Sequence, residues 1–258
     1  MIPTGEILSR FYEYLSGRGS DLLVEEVRIG LGYLGVKLEG DRMGLAAVLK
    51  HELTPACSVL DEAGNLAGSR APVLLRRLVD GRNPLEKALG LATANAIIYT
   101  EPTKEEKDTL ELINLASQDR VAMIGLFRPL VPRIEKTGAS LSIIERNAAL
   151  MEVPDQKDRE RILRECTVAI ITATALLNNT MEDVLNGLGS PRHVVVLGPS
   201  TPMCGELFEG TPVNHLGGSA LLNTEKIMQI ISEGGGTPAL RPYLRFVNVL
   251  LKNDGEKT

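Results

Sequence analysis

The sequence predicts an α/β protein, a small α+β part followed by a doubly wound, largely parallel sheet. The clearest evidence is the run HVVVLGPSTPM at residues 193–203, where three consecutive valines indicate a strand buried on both faces. Gly198 ends that strand, and the hydroxyls of Ser200 and Thr201 precede Pro202, which suits the first turn of a helix. Through the second half of the chain, short apolar segments alternate with helical or polar ones, as in doubly wound domains. A strand end, two hydroxyls and a new helix terminus together predict a place for an anionic or strongly polar ligand.

The first hundred residues have a different pattern, a helix followed by antiparallel strands and further helices. Apolar side chains recur at helical spacing from Ile7 to Leu15, and segment 17–20 ends that helix. Alternating apolar and polar residues then predict three short strands, with a turn at Gly40-Asp41. Asn83-Pro84 predicts a helix start, because asparagine caps well and proline is tolerated in the first turn. The three strands are placed at residues 27–31, 36–38 and 45–49.

A break at Glu101-Pro102 separates the two patterns, and Thr103 with Glu106 predicts a capping box for a new helix. We therefore predict two domains, an α+β domain over residues 1–100 and an α/β domain over residues 101–258. In the second domain, helices are expected after the caps Asp155 and Thr180 and over residues 224–232. Its six strands are placed at residues 121–124, 141–144, 168–171, 194–197, 213–216 and 246–250.

Composition narrows the class of protein. With 258 residues, 43% of them hydrophobic, the chain can bury a sizeable core. A dispersed net charge of −5 argues against nucleic acid or an anionic membrane as a partner, and the apolar runs are too short to span a bilayer. The start MIPTGE has no signal segment and the three cysteines are widely spaced, so we expect a cytoplasmic protein. A homodimer is expected only because symmetric dimers are the commonest oligomers.

The segment GLGYLG at residues 30–35 matches the dinucleotide-binding pattern by its letters alone. That chemistry needs a helix N-terminus after the glycines to hold the pyrophosphate. Here residues 36–41 alternate as a strand does and end in a turn. We therefore interpret the segment as a bent hairpin and not as a nucleotide loop.

Ligands of open α/β sheets bind outside the carboxyl ends of the strands, so the residues that follow the predicted strands are site candidates. Four of these ends are rich in glycine and polar groups. Thr172 and Thr174 could be ordinary β-branched strand residues and Thr180 a helix cap, but that does not explain their concentration at one edge. The ligand-binding candidates at these ends are Gly125, Phe127, Arg128, Asn147, Thr172, Thr174, Asn178, Gly198, Pro199, Ser200 and Thr201.

Glu145 is the candidate catalytic residue, because a carboxylate at a partly desolvated strand end can serve as an acid or base. It follows Gly125 by 20 residues, the spacing at which nucleotide-binding domains place an acid for ribose hydroxyls. The loop at Gly125 has one glycine where the nucleotide fingerprint has three. The alternative is an ion pair at the surface with a neighbouring arginine.

The sequence predicts no tightly held zinc, because no pair among its cysteines and histidines has zinc-site spacing. Cys204 and His215 are placed near strand ends on the ligand side, so they are the pair that could meet around a metal. A buried structural cysteine is the alternative. Serine hydrolysis is poorly supported, since Ser200 has no evident base and stands in no nucleophile elbow.

Three segments resemble one family, known as "putative heavy-metal chelation" and formerly a domain of unknown function. They are GLATANA at residues 90–96, ITATALLNNT at 171–180 and GPSTPM at 198–203, of which the last is the most specific. The resemblance covers nearly the whole chain. It implies an enolase N-terminal-like domain, a Rossmann-like domain with partial similarity to methyltransferases, and a site between them. It also implies heavy-metal chelation, or condensation or hydrolysis in making pterin-, flavin- or siderophore-like molecules.

Three functional hypotheses remain open at this point. The first is a protein that binds a small polar molecule, such as a metal chelator, in an interdomain cleft and processes it by condensation or hydrolysis if it is an enzyme. The second is a transferase with a nucleotide-type cofactor such as S-adenosylmethionine, and the third is a non-catalytic carrier of a metal or chelate. Asn95 is added to the ligand-binding candidates because the resemblance places its helix against the Rossmann-like domain, opposite Thr174 and the loop at Ser200-Thr201. The cofactor is undetermined, with a heavy-metal ion or its chelate as the candidate.

Overall fold

The computed structural model describes residues 1–53, 58–99 and 108–251, and its first sheet is antiparallel with the order β1-β2-β3. The sheet is a meander in which β1 pairs with β2 and β2 with β3. A long helix, α4, packs on one face of this sheet, and a helix from the second half of the chain packs on β1 and β2. The elements are α1 (Glu6–Ser16), β1 (Val24–Ile29), β2 (Tyr33–Leu38), β3 (Arg42–Ala47), a 3-10 turn (Lys50–Glu52), α2 (Ala71–Leu75), α3 (Arg77–Asp80) and α4 (Pro84–Ile98).

The second sheet has six strands in the order β5-β4-β6-β7-β8-β9, of which only β9 is antiparallel to its neighbour. Strand order reverses between β4 and β6, since β5 lies outside β4 and later strands add on the other side. The elements are α5 (Thr109–Ile113), β4 (Arg120–Ile124), α6 (Val131–Glu135), β5 (Ser140–Ile144), α7 (Gln156–Glu165), β6 (Val168–Thr172), α8 (Met181–Gly187), β7 (His193–Leu197), β8 (His215–Leu221), α9 (Thr224–Ser232), α10 (Thr237–Leu240) and β9 (Leu244–Leu250), with 3-10 turns at Ala173–Leu176, Gly205–Phe208 and Arg241–Tyr243.

The predicted fold class is confirmed, because a three-stranded antiparallel sheet precedes a mostly parallel sheet covered by helices. One apolar cluster joins the two sheets: it contains Leu34 and Val36 of β2 together with Ile171 of β6 and Val196 of β7. A second cluster lies between the first sheet and α9, and a third covers the opposite face of the large sheet. Residues 100–107, which include the predicted break at Glu101-Pro102 and its capping box, lie outside the described residues, so the domain boundary stays a prediction.

Several helix ends follow from local chemistry. The Asn83 side chain accepts hydrogen bonds from the amides of Leu85 and Glu86, both at 3.0 Å, and so caps α4 as predicted. Asp155 caps α7 in the same way, through the Asp158 amide at 2.8 Å. Thr180 does not cap α8 with its side chain, because its hydroxyl donates instead to Asn178 Oδ1 at 2.8 Å.

Other element predictions need correction. The predicted strand 45–49 lies at Arg42–Ala47, and the predicted strand 213–216 lies at His215–Leu221. No helix starts at Pro202: residues 201–204 are irregular and a short 3-10 turn follows at Gly205–Phe208. The chain there runs over β8: the Met203 side chain lies so close to Gly218 that a Cβ at that position would overlap it. Among the described residues, no helix is long and apolar enough to cross a membrane.

The glycine-rich segment 30–35 is a hairpin, as interpreted from the sequence. Strand β2 starts directly after its second glycine, so no helix N-terminus is available for a pyrophosphate. A Cβ on Gly30 would overlap the Ile231 carbonyl oxygen, and one on Gly35 would lie 2.8 Å from Met228 Sδ. The glycines therefore permit close packing of the hairpin against α9.

Candidate functional site

A cavity of about 350 Å³ lies between the first sheet and the carboxyl end of β8. We call it the Asn95 cavity. Its wall combines β3 and α4 with the loop after β7 and the start of α9. The residues that define it are Gly44, Leu45, Asn95, Pro199, Thr201 and Ser219.

Asn95 is held in a fixed orientation by two carbonyl groups. Its Nδ2 donates to the Leu45 carbonyl at 2.8 Å and to the Ser200 carbonyl at 3.0 Å. Because both partners only accept, the amide nitrogen must face them, and Oδ1 faces the other way. Oδ1 is buried and has no hydrogen-bond partner within the described residues. A buried acceptor without a partner is costly, so this atom is positioned for a donor from outside the described residues.

The loop after β7 contains a second buried atom of this kind. Thr201 is 4% exposed, lines the cavity, and its Oγ1 has no hydrogen-bond partner in the described part of the chain. The neighbouring hydroxyl, Ser200 Oγ, is used differently, since it accepts from the Ala47 amide of β3 at 2.9 Å. Of the two hydroxyls in this loop, that of Thr201 is therefore the one without a hydrogen bond in the described part of the chain.

The predicted anion site at this loop is not supported. The Gly198 amide donates to the Gly217 carbonyl at 2.9 Å, and the Thr201 amide donates to the Gly198 carbonyl at 3.0 Å. With no helix starting at Pro202, the loop also lacks the helix terminus that attracts anions. The described residues that line the Asn95 cavity include Asp41 and Glu225 but no lysine, arginine or histidine. The charged side chains of this wall therefore favour a neutral or cationic ligand with hydrogen-bond donors.

A second cavity, of about 240 Å³, lies at the carboxyl ends of β4, β5 and β6. We call it the Thr172 cavity, and it is bounded by Gly125, Phe127, Glu145, Thr172, Thr174 and Asn178. The hydroxyls of Thr172 and Thr174 lie 3.0 Å apart, and the Thr172 hydroxyl also accepts from the Thr174 amide at 3.3 Å. Five of the eleven ligand-binding candidates predicted from strand ends thus meet here together with Glu145, whereas Asn95 lines the other cavity.

Glu145 organises two loops at this cavity. Its Oε2 accepts from the Leu126 amide at 3.0 Å, and its Oε1 accepts from the Arg146 and Asn147 amides at 2.8 and 2.9 Å. A carboxylate has about four acceptor positions, so three of them are already occupied. The spacing of 20 residues between Gly125 and Glu145 therefore corresponds to a contact within the protein, in which the carboxylate accepts from the loop after β4. The roles as acid, base or ribose ligand remain predictions.

We expect Glu145→Gln to lower the free energy of unfolding by about 1–3 kcal/mol, because a glutamine amide group would face a backbone N–H donor. Urea unfolding of the variant measures this directly. Glu135→Gln, at an exposed position on α6, is the matched control and should change stability little. A Glu145→Gln protein as stable as the parent would contradict the structural role.

The remaining candidates are placed less favourably. Arg128 is exposed and is not among the described residues that line either cavity. Asn147 shapes a turn, since its Oδ1 accepts from the Ala149 amide at 3.1 Å. Asn178 links the halves of the chain, because its Nδ2 donates to Glu52 Oε1 at 3.1 Å. Glu52 and its neighbour His51 line the Thr172 cavity but were not among the predicted site residues. Both lie in a polar segment soon after β3, and that position at a strand end could have indicated them.

Cys204 and His215 lie on different faces of the large sheet. His215 begins β8 and pairs in register with Val195, whose side chain belongs to the apolar cluster on one face of the sheet. Cys204 packs against the cluster on the other face and donates from Sγ to Glu206 at 3.2 Å. Burial raises the pKa of the Cys204 thiol to about 11, so it is not a ready thiolate ligand.

His215 has its own partners. Its Nδ1 lies 2.9 Å from His193 Nε2, and its Nε2 lies 2.8 Å from Asn248 Oδ1. Within residues 1–53, 58–99 and 108–251, no group of three or more His, Cys, Asp or Glu side chains could hold a metal ion. The described residues thus do not fit a metal bound by protein side chains alone. Cys57 lies outside the described residues.

These features define an α/β protein with two sheets and polar cavities where the first sheet meets the strand ends of the second. Family models agree with this architecture: one described as "Putative heavy-metal chelation" matches residues 108–250, and another with the same description matches residues 12–98. The chain belongs to this family, and the resemblance stated from the sequence is confirmed.

Similar proteins include an archaeal protein known from its sequence and two proteins with solved structures. An "Uncharacterized protein" from Methanocaldococcus jannaschii is 25% identical over 236 residues, which cover 86% of this chain and 88% of that protein. A solved protein of unknown function from Pyrococcus horikoshii has a TM-score of 0.82 at 23% identity, covering 95% of this chain and 100% of that one. Another from Desulfitobacterium hafniense has a TM-score of 0.80 at 22% identity, covering 95% and 98%. At these identities the solved structures show the fold.

Proposed function

We propose that this protein binds a small, polar, heterocyclic molecule of the pterin or flavin type in the Asn95 cavity. One observation carries the proposal: Asn95 Oδ1 and Thr201 Oγ1 are buried, have no partner in the described part of the chain, and belong to residues that line the same cavity. Buried polar groups are nearly always paired, so two such atoms at one cavity support a ligand that pairs them. The volume of about 350 Å³ lies in the range of small-molecule sites.

The chemistry of these two groups suggests what the ligand offers. Asn95 Oδ1 can only accept, so the ligand presents an N–H or O–H group to it. The Thr201 hydroxyl can donate or accept, so it suits a ring nitrogen or a carbonyl beside that donor. An adjacent donor and acceptor are found on the edge of a nitrogen heterocycle.

A metal, on this proposal, arrives inside an organic chelate. A chelator carries its own donor atoms, so the protein needs only to recognise the organic part. This agrees with the lack of a metal-ligand cluster among the described residues. Two alternatives from the sequence give different ligands: the transferase would bind S-adenosylmethionine, and the carrier would bind the metal ion itself.

Thr201→Val provides the sharpest test, because the lost hydroxyl has no hydrogen bond to lose within the described residues. We expect the variant to be as stable as the parent or slightly more so, and to bind a heterocyclic probe about five- to thirty-fold more weakly. Asn95→Ala should weaken binding by about 1–3 kcal/mol and also lower stability, since two carbonyls lose their donor. Pterin and riboflavin are the probes, measured by thermal shift and calorimetric titration.

Thr93→Val is the matched control, because Thr93 is equally buried on α4 but its hydroxyl donates to the Leu89 carbonyl at 2.8 Å. It should lower stability and leave probe affinity unchanged. If the protein binds neither pterin nor riboflavin, the proposal is wrong. Stabilisation by S-adenosylmethionine alone, or by Zn²⁺ or Ni²⁺ alone, would replace it with the corresponding alternative. Unchanged affinity in Asn95→Ala with a lowered melting temperature would make Asn95 purely structural.

A further inference from the structure

The Thr172 cavity differs from the Asn95 cavity in the charge of its wall. Two arginines line it, Arg146 just after β5 and Arg159 on α7. Neither guanidinium group has a hydrogen bond or ion pair within the described part of the chain, although most other arginines there have one. A guanidinium is a fork of five donors that matches carboxylate and phosphate oxygens.

The two carboxylates of the same cavity, Glu145 and Glu52, already accept hydrogen bonds from neighbouring residues. Glu145 accepts three backbone hydrogen bonds from the amides of Leu126, Arg146 and Asn147. Glu52 accepts from Asn178 at 3.1 Å and lies 3.8 Å from the His51 ring nitrogen. The two arginines are therefore the charged side chains of this wall that lack a described partner.

The threonine pair adds a neutral donor. Whichever of the Thr172 and Thr174 hydroxyls donates across their 3.0 Å contact, the hydrogen of the other remains available. Apolar side chains at the same cavity, including Leu49, Ile124 and Leu163, offer contact to the carbon part of a ligand. The wall thus combines positive charge, a hydroxyl donor and an apolar surface.

The position of the cavity in the sheet has the same implication. Strand order reverses between β4 and β6, and the cavity lies at the carboxyl ends of these two strands and of β5. The segments that leave them separate to opposite faces: α6 contributes Ile134 to one apolar cluster, while α7 and α8 contribute Leu163 and Val184 to another. In open α/β sheets, a crevice of this kind is where ligands bind.

We propose that the Thr172 cavity is a second binding site, distinct from the Asn95 cavity, for an organic molecule with a carboxylate or phosphate group. Arg159 and Arg146 hold the anionic group, the Thr172–Thr174 pair donates a hydrogen bond to it, and the apolar wall contacts the remainder. The proposal is independent of the heterocycle site, because the two cavities are lined by different residues and, among the described lining residues, arginines are found only in the Thr172 cavity.

The test is calorimetric titration of the full chain with two probes, inorganic phosphate and succinate, at constant ionic strength. We expect saturable binding of at least one probe, with the stronger of the two identifying the anionic group. Arg159→Gln should weaken that binding by about tenfold or more, and Arg159→Lys by less, because lysine keeps the charge but loses the fork. Arg164→Gln is the matched control, since Arg164 is an exposed arginine on the same helix that is not among the lining residues.

Two results would overturn the second site. One is the absence of saturable binding for both probes up to about 10 mM. The other is equal weakening by Arg159→Gln and Arg164→Gln, which would reduce the effect to general attraction of anions. Riboflavin and pterin titrations of Arg159→Gln separate the two proposals, because affinity at the Asn95 cavity should be unchanged whichever way the anion experiment turns out.

Discussion

Gly44→Ala is expected to lower the free energy of unfolding by about 2–4 kcal/mol, a large effect for one methyl group. Helix α4 lies directly on β3 at this position. A Cβ on Gly44 would overlap the Ala92 carbonyl oxygen and the Ala96 amide nitrogen and would lie 2.8 Å from the Asn95 carbonyl carbon. These are backbone atoms that cannot turn aside, so the helix must move away from the strand.

The same displacement should move Asn95 away from the Leu45 and Ser200 carbonyls, so probe binding in the Asn95 cavity should fall together with stability. Chemical denaturation and calorimetric titration measure the two effects. Gly17→Ala is the matched control, because Gly17 has φ −69° and open space where the methyl group would lie. Similar losses in both variants would show that close packing at Gly44 is not the cause.

Asp119→Ala is expected to cost about 2–4 kcal/mol of stability at neutral pH. Asp119 is 5% exposed and accepts two hydrogen bonds from Arg192, at 3.1 and 2.6 Å. It also accepts from the Thr167 hydroxyl and the Ala116 amide, both at 2.8 Å. The carboxylate thereby joins the chain before β4, β6 and β7, and its loss leaves several donors without a partner.

The effect should depend on pH in a defined direction. Hydrogen bonds from Arg192 hold the pKa of the Asp119 carboxyl well below its usual range. A lowered folded-state pKa stabilises the protein above the unfolded value of about 3.9, and that contribution is lost as the pH falls below it. Urea unfolding should thus show a large difference between parent and variant at neutral pH and a smaller one in acid. Asp61→Ala, which breaks an exposed pair with Arg82, should have little effect at either pH.

The sequence predicted secondary structure well where local chemistry dictates it. Asn83 and Asp155 cap their helices through nearby amides, and the valines of β7 are buried on both faces as their run indicated. The observed bounds of strands and helices differ from the predicted ones where tertiary contacts determine where an element begins or ends. The segment after Gly198 resembled a helix start, but it packs on β8 and β3 instead. There the Ser200 hydroxyl accepts from the Ala47 amide of β3, and Met203 contacts Gly218 of β8.

The sequence could predict which strand ends carry candidate residues, but not which of their side chains contact one another. Nothing local to residue 145 shows that its carboxylate accepts from the Leu126 amide, because this contact requires β4 and β5 to be neighbours. Arg159 was missed for a similar reason: on a charged helix it resembles a solvated residue, and only the packed position of α7 brings it to the cavity. The free acceptor of Asn95 likewise depends on carbonyls that are 50 and 105 positions away in the chain.

Helix α4 has no polar face: nearly all of its residues are buried, from Leu85 to Ile97. In the finished protein its surroundings include β2 and β3 and the Ser200 carbonyl from the loop after β7. The elements that pack on α4 from the first half of the chain, α1 to α3 and β2 and β3, are made before it, whereas the loop after β7 is made about a hundred residues later. During synthesis the helix can therefore pack on the first sheet early, while the part of its surface that meets the loop after β7 stays exposed until that loop has left the ribosome.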